Sequence, residues 1–244
     1  MVFIAGVDEA GRGSVIGPLV VAGVLFDRDK IKKLSEIGVK DSKTLTPNQR
    51  EKLEEEIKRL ALKFKVVEVS PDEVDRVVFK GKKLFRLNWL EANVMAQIID
   101  ELNPTIAYVD ASDIDAERFG RQIKDLLKKR VKIISEHKAD RKHLVVGAAS
   151  ILAKVHRDRI IARLKEEYGD FGCGYAHDPK TVSFLRNWFK TRKEEPPFIR
   201  KSWKTVRKVR FEVFGGQKKT RVLNCKFFFL RYFKTYNNKR TKLA

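Results

Sequence analysis

Only two cysteines, Cys173 and Cys225, occur among the 244 residues, and they do not form a C-x-x-C pair. That spacing excludes a disulfide framework and a cysteine zinc site. The four histidines, at 137, 143, 156 and 177, are scattered, which leaves zinc without its usual clustered ligands. No apolar run reaches the ~20 residues of a membrane-crossing helix. Met1 leads straight into an apolar strand without a basic leader. These absences predict a cytoplasmic protein with no membrane partner. Acidic residues are also in short supply. Thirty-two Asp and Glu face 53 Lys and Arg, for a net charge of +21. An excess of that size points to a polyanionic partner, nucleic acid ahead of a lipid surface. It is unevenly placed: residues 200–244 hold fifteen Lys and Arg and one acid, Glu212.

What is present is enough for a folded core. Hydrophobic residues make up 43% of the chain, which excludes general disorder. The chain is organised around its first fourteen residues. An apolar run from Val2 to Val7 has a buried strand's composition. It ends in two adjacent carboxylates, Asp8 and Glu9, followed by Gly11, Arg12 and Gly13. Pro18 to Phe26 supplies a second apolar strand, close enough to pair as a hairpin. Thr46, Pro47 and Gln49 form a capping box that opens a helix to about Lys63. A third strand is expected over Phe64 to Val69 and a short helix after Ser70. Leu87, Leu90, Val94 and Ile98 then recur at helical spacing, on a helix from about Leu84 to Leu102. Thr105 to Asp110 is a fourth strand that ends on a carboxylate. Val131 to Ile134 is a fifth, followed at once by Glu136-His137-Lys138-Ala139-Asp140. A long helix is expected over roughly Val145 to Tyr168. Beyond Gly169 the chain breaks into short helical pieces, and from Arg210 it shows no clear period.

Hairpin strands first and crossover helices later predict an α/β chain with a mixed sheet covered by helices on both faces. In an open α/β sheet, neighbouring strand ends meet at one rim. Asp8, Glu9, Asp110 and Asp140 would meet there. Four crowded carboxylates repel each other unless cations neutralise them, and oxygen-only ligation favours Mg²⁺ or Mn²⁺. Two such ions clamp the attacking and leaving oxygens of a phosphodiester. A basic chain with an acidic metal site reads as a nuclease.

The block Asp8-Glu9-Ala10-Gly11-Arg12-Gly13, followed by Gly17-Pro18-Leu19-Val20, resembles the opening motif of the ribonuclease HII family. Val39-Lys40-Asp41-Ser42-Lys43, Tyr108-Val109-Asp110-Ala111 and Glu136-His137-Lys138-Ala139-Asp140 also match. So do the stretch from Ala148 to Asp158 and Gly172-x-Gly174-Tyr175. The blocks keep the family's order over roughly residues 1–185. The resemblance implies an RNase H-like fold, a five-stranded mixed sheet flanked by helices, with a C-terminal helical region. Residues 1–184 would form the catalytic domain, and 185–244 the helical region and basic tail. It implies Asp8, Glu9, Asp110 and Asp140 as the catalytic, metal-binding set. It implies endonucleolytic cleavage of RNA in RNA/DNA hybrids and of single ribonucleotides embedded in duplex DNA, by a monomer serving replication and repair. The ends left would be 3′-hydroxyl and 5′-phosphate. Tyr175 matches the tyrosine that stacks on the sugar at the RNA–DNA junction.

Only the 2′-hydroxyl tells the two sugars apart, so Gly11, Arg12 and Gly13 are expected to offer backbone groups against the ribose. Ser42 and Lys43, with Arg141 or Lys142 as further candidates, would hold phosphates. His137 and His143 lie near Asp140, where proton transfer is one reading and a structural polar contact the better one. Ser14 stands where the family often has proline. The tail has no clean clamp-binding peptide, so sliding-clamp docking is not expected from it; its charge suits duplex phosphates instead. Rival readings are a resolvase-like DNA nuclease, a non-catalytic basic RNA-binding protein and, third, a dinucleotide oxidoreductase. The last is opposed by the spacing of Gly11, Gly13 and Gly17.

Overall fold

The computed structural model describes residues 1–39, 45–80, 86–192 and 194–215. Its centre is one five-stranded sheet, in the order β3-β2-β1-β4-β5. The strands are β1 (Phe3–Ala10), β2 (Leu19–Asp27), β3 (Lys63–Val69), β4 (Ile106–Asp110) and β5 (Lys132–Glu136). The first three run antiparallel to one another, and β1 pairs in parallel with β4, as β4 does with β5. The mixed sheet expected from the hairpin and crossover pattern is what forms.

Helices cover both faces. They are α1 (Lys32–Glu36), α2 (Pro47–Leu60), α3 (Pro71–Lys80), α4 (Arg86–Leu102), α5 (Ala116–Leu126), α6 (Ala139–Lys142), α7 (Leu144–Tyr168), α8 (Pro179–Thr191) and α9 (Lys204–Phe214). Residues alternate between faces along β1, as the pleat requires. Ile4 and Ala10 pack with α7 and α2, whereas Ala5 and Val7 pack with α4 and α5. Two strand glycines set how closely the helices approach. A Cβ on Gly6 would lie 2.1 Å from the carbonyl oxygen of Val145, and one on Gly23 would lie 2.4 Å from Ile98. The first turn of α7 therefore rests on β1 two residues before Asp8. The Thr46 capping box is present, with the Thr46 hydroxyl accepting from Gln49 and the Gln49 side chain accepting from the Thr46 amide.

A third apolar cluster joins the loop after β1 to the C-terminal helices. Val15 and Ile16 pack there with Phe171, Leu185, Trp188 and Phe198. Helix α8 runs without a break across position 184. Although the sequence shows no clear period from Arg210, α9 continues to Phe214. Val206, Val209 and Val213 share one face at i, i+3, i+7 and pack into the third cluster, a signal the surrounding lysines and arginines obscure.

Candidate active site

Asp8 is the third residue from the end of β1, and it faces α7. Its carboxylate is 5% exposed. Continuing the parallel register one step beyond Val7↔Val109 sets Asp110 alongside it. Asp110 ends β4 and accepts a 2.7 Å hydrogen bond from the amide of Ala139. That amide opens α6, and Asp140 is the next residue. A Cβ on Gly147 would lie 3.2 Å from the Asp140 carbonyl oxygen, so α7 packs closely against this segment too. Glu9 points to the opposite, α4 face of the strand end. Its Oε1 accepts from Ser112 at 3.0 Å, while Oε2 is buried with no hydrogen-bond partner among the described residues.

The electrostatics follow from this crowding. Burial pushes the Asp8 carboxyl well above its ordinary range, and the charges of Glu9 and Asp110 add to it. Glu9 is pushed up to about 8, first by burial and then by the charge of Glu91, with Asp110 contributing. Buried carboxylates that repel in this way favour either a proton or a cation. The unsatisfied Glu9 oxygen and the oxygen-only donor set fit a hard divalent ion. Among the described residues, no three Asp, Glu, His or Cys side chains already enclose an ion position. Like charges are expected to stand apart until something neutralises them.

Sequence reasoning missed Glu91. It is fully buried on α4 and forms a salt bridge with Arg12 at 2.9 Å. Asn88 accepts from the same guanidinium at 2.5 Å. The helical period flagged Leu87 and Leu90 as the buried face and passed over a charged residue one position on. The Arg12 guanidinium is thus tied to α4, while its side chain stays 38% exposed. Gly11 takes φ +83°, and a Cβ there would meet Arg157 Nε at 2.4 Å and the Pro18 carbonyl oxygen at 2.7 Å. Gly11→Ala is expected to cost about 2 kcal/mol or more of stability, measured by chemical denaturation, and to lower activity along with it.

Tyr175 is brought to this loop. A bridge joins it to Ser14, and the Gly174 carbonyl accepts from Val15 at 2.8 Å and from Ile16 at 3.1 Å. Arg157 lies over the Tyr175 ring at 5.1 Å. Ser14, at the position where the family often has proline, uses its hydroxyl to donate to Gly11 at 2.9 Å. Gly11, Arg12, Gly13 and Tyr175 are therefore one surface. Ser42 and Lys43 fall outside the described residues. Lys142 pairs with Glu136 at 3.0 Å, and Arg141 is exposed. His143 stacks on Tyr108 at 4.2 Å and lies 3.2 Å from Glu136, while His137 contacts the Ile114 carbonyl. Both histidines make structural polar contacts.

The model of the family described as Ribonuclease HII matches residues 5–206. This chain belongs to the ribonuclease HII family. A ribonuclease HII from Pyrococcus furiosus is 47% identical over 227 residues, which cover 92% of this chain and 98% of that one. Another from Methanosarcina barkeri is 43% identical, covering 86% and 96%. Among solved structures, ribonuclease H2 from Pyrococcus horikoshii superposes with a TM-score of 0.80 at 44% identity, covering 86% of this chain and 98% of that chain. A ribonuclease HII from Archaeoglobus fulgidus, solved in complex with PCNA, gives 0.77 at 42%, covering 88% and 100%. A ribonuclease HIII solved with Mn²⁺ gives 0.72 at 21% identity, a likeness of fold alone. As a ribonuclease HII the chain is a ribonuclease H, an endonuclease acting on RNA in hybrids. That sets aside the non-catalytic RNA-binding and oxidoreductase readings. No described helix is long and apolar enough to cross a membrane. The expectation about a clamp-binding peptide concerns residues after 215, outside the described ones.

Proposed function

We propose that Asp8, Glu9, Asp110 and Asp140 form the catalytic and metal-holding set of an endoribonuclease. It cleaves the RNA strand of RNA/DNA hybrids and single ribonucleotides embedded in duplex DNA, leaving 3′-hydroxyl and 5′-phosphate ends. The observation that carries this reading is the buried, mutually repelling group of Asp8, Glu9 and Asp110, with one Glu9 oxygen unsatisfied. Mg²⁺ or Mn²⁺, when bound, would supply Lewis-acid stabilisation of the phosphate charge and a more acidic attacking water. The chain's own residues do the rest. Ala139 orients the Asp110 carboxylate through its amide, and Ser112 orients Glu9. The Gly11–Gly13 backbone and Tyr175 face the ribose, where a hydrogen bond to the 2′-hydroxyl separates RNA from DNA. Basic side chains, with Ser42 and Lys43 among them, hold phosphates without reading sequence.

The role is removal of ribonucleotides and RNA primers, by a cytoplasmic monomer whose catalytic unit is residues 1–184, with 185–244 as an accessory helical and basic region. The test is cleavage-site mapping on a duplex holding one ribonucleotide, with and without divalent metal. Cleavage at the ribonucleotide only when metal is present supports the reading, and cleavage of an all-DNA control would sink it.

Residues 216–244 carry nine Lys and Arg and no acid. Since α9 ends at Phe214, a clean truncation follows Gly215. Removing the tail is expected to weaken hybrid binding and flatten the dependence of log affinity on log salt, because fewer counterions are released. An unchanged salt slope would show that the tail is not a binding element.

A further inference from the structure

Arg200 stands out as a charge that nothing in the reaction scheme yet uses. It is fully buried and, among the described residues, the largest side chain so enclosed. Among the described residues it forms no ion pair with a carboxylate; Glu91 and Asp75 balance its charge from further away. Its donors go instead to the backbone of the loop after β1. Nη2 donates to the Gly11 carbonyl at 2.6 Å, Nη1 to the Arg12 carbonyl at 2.7 Å and Nε to the Gly17 carbonyl at 3.3 Å. The Arg200 amide donates to Val15 in the same loop at 2.9 Å, and Trp203 lies 4.9 Å beneath the guanidinium.

A buried guanidinium is unfavourable unless its hydrogen bonds are all used. Attaching the C-terminal region does not require one. The third apolar cluster already does that, and Asp75 caps the next turn by accepting from Lys201 at 2.7 Å and Ser202 at 2.9 Å. What the planar fork of an arginine adds is a fixed spacing between acceptors. Here it turns two consecutive carbonyls inward. Among the described residues, the Arg12 and Gly13 amides donate to no group of the protein. Gly13 is exposed, and a Cβ on it would stand 4.0 Å from the Tyr175 ring.

We propose that Arg200 is a positioning residue for ribose recognition, holding the Gly11 and Arg12 carbonyls inward so that the loop's amides are presented beside Tyr175 to a 2′-hydroxyl. This rests on the reading of the Gly11–Gly13 loop and Tyr175 as the ribose-facing surface. It gives the C-terminal region a part in substrate selection that its sequence position, twenty-five residues past Tyr175, does not suggest.

The experiment compares Arg200→Lys and Arg200→Met with wild type and with Asp75→Asn, which loosens the same turn without touching the loop. Affinity is measured without divalent metal for a DNA duplex holding one ribonucleotide and for the same duplex in all-DNA form, alongside melting temperature. Wild type is expected to prefer the ribonucleotide duplex by about tenfold, the worth of roughly one hydrogen bond to the 2′-hydroxyl. Both Arg200 variants are expected to bring that ratio close to one while binding the all-DNA duplex as wild type does. Asp75→Asn should keep the wild-type ratio even where it melts earlier. A retained ratio in Arg200→Lys, whose folding is the less disturbed, overturns the proposal, as does an equal loss in Asp75→Asn. A wild-type ratio of one would overturn the underlying ribose reading, which is a separate failure.

Discussion

Asp110→Asn is expected to leave the fold intact and to lower cleavage by about three orders of magnitude. The size follows from the several kcal/mol of charge stabilisation that a metal-assisted phosphoryl site supplies, at about 1.4 kcal/mol per tenfold in rate. The fold survives because an amide oxygen can still accept from Ala139, the bond that ties the end of β4 to α6. The change also removes one charge from a group whose members raise one another's proton affinity. Melting in the presence of a chelator should therefore be no lower for the variant than for wild type. Single-turnover cleavage of a one-ribonucleotide duplex, paired with that melting curve, checks both halves. Normal cleavage would take Asp110 out of the catalytic set.

A second large effect concerns pH in the absence of metal. Glu9 is raised from 4.5 to about 8 by burial and by Glu91, and Glu91 itself is raised to about 7, mainly by burial. A carboxyl with a folded value above its unfolded one binds protons more tightly when folded. Its contribution to stability is complete below about pH 4.5 and is lost as pH rises through about 8. Glu9→Gln removes that titration from the folded state. In a chelator, the melting temperature of wild type should thus fall relative to Glu9→Gln as pH climbs from about 4.5 to about 8. Millimolar Mg²⁺ should restore wild type at the upper end and do less for the variant, since the ion then neutralises the ionised carboxylate. Parallel curves across that range would mean that Glu9 does not titrate as its surroundings require.

Much of this molecule was legible in its sequence. Alternating and continuous apolar runs marked five strands, and the Thr46 capping box marked the start of α2 to the residue. Asp8 and Asp110 were legible as strand-end acids because a carboxylate closing an apolar run must be either solvated or neutralised. Other features left only faint traces. Glu91 looks like any polar residue of an amphipathic helix until α4 is laid across the sheet and its carboxylate meets Arg12. Arg12 was expected at the ribose, and its backbone stays in that reading. Its side chain is turned by Glu91 and Asn88, residues more than seventy positions away.

The amino-acid sequence alone determined the strands, the family and that Asp8, Glu9 and Asp110 stand at strand ends, since these follow from local pattern and from ordered motif blocks. Only the tertiary structure decided that Glu9 meets Ser112 and the buried Glu91, and that Gly6 lets α7 rest on β1. The same is true of Arg200 holding the loop after β1. The physical reason is that proton affinity, desolvation and hydrogen-bond partnership depend on which groups packing brings together, and no periodicity along a chain records that.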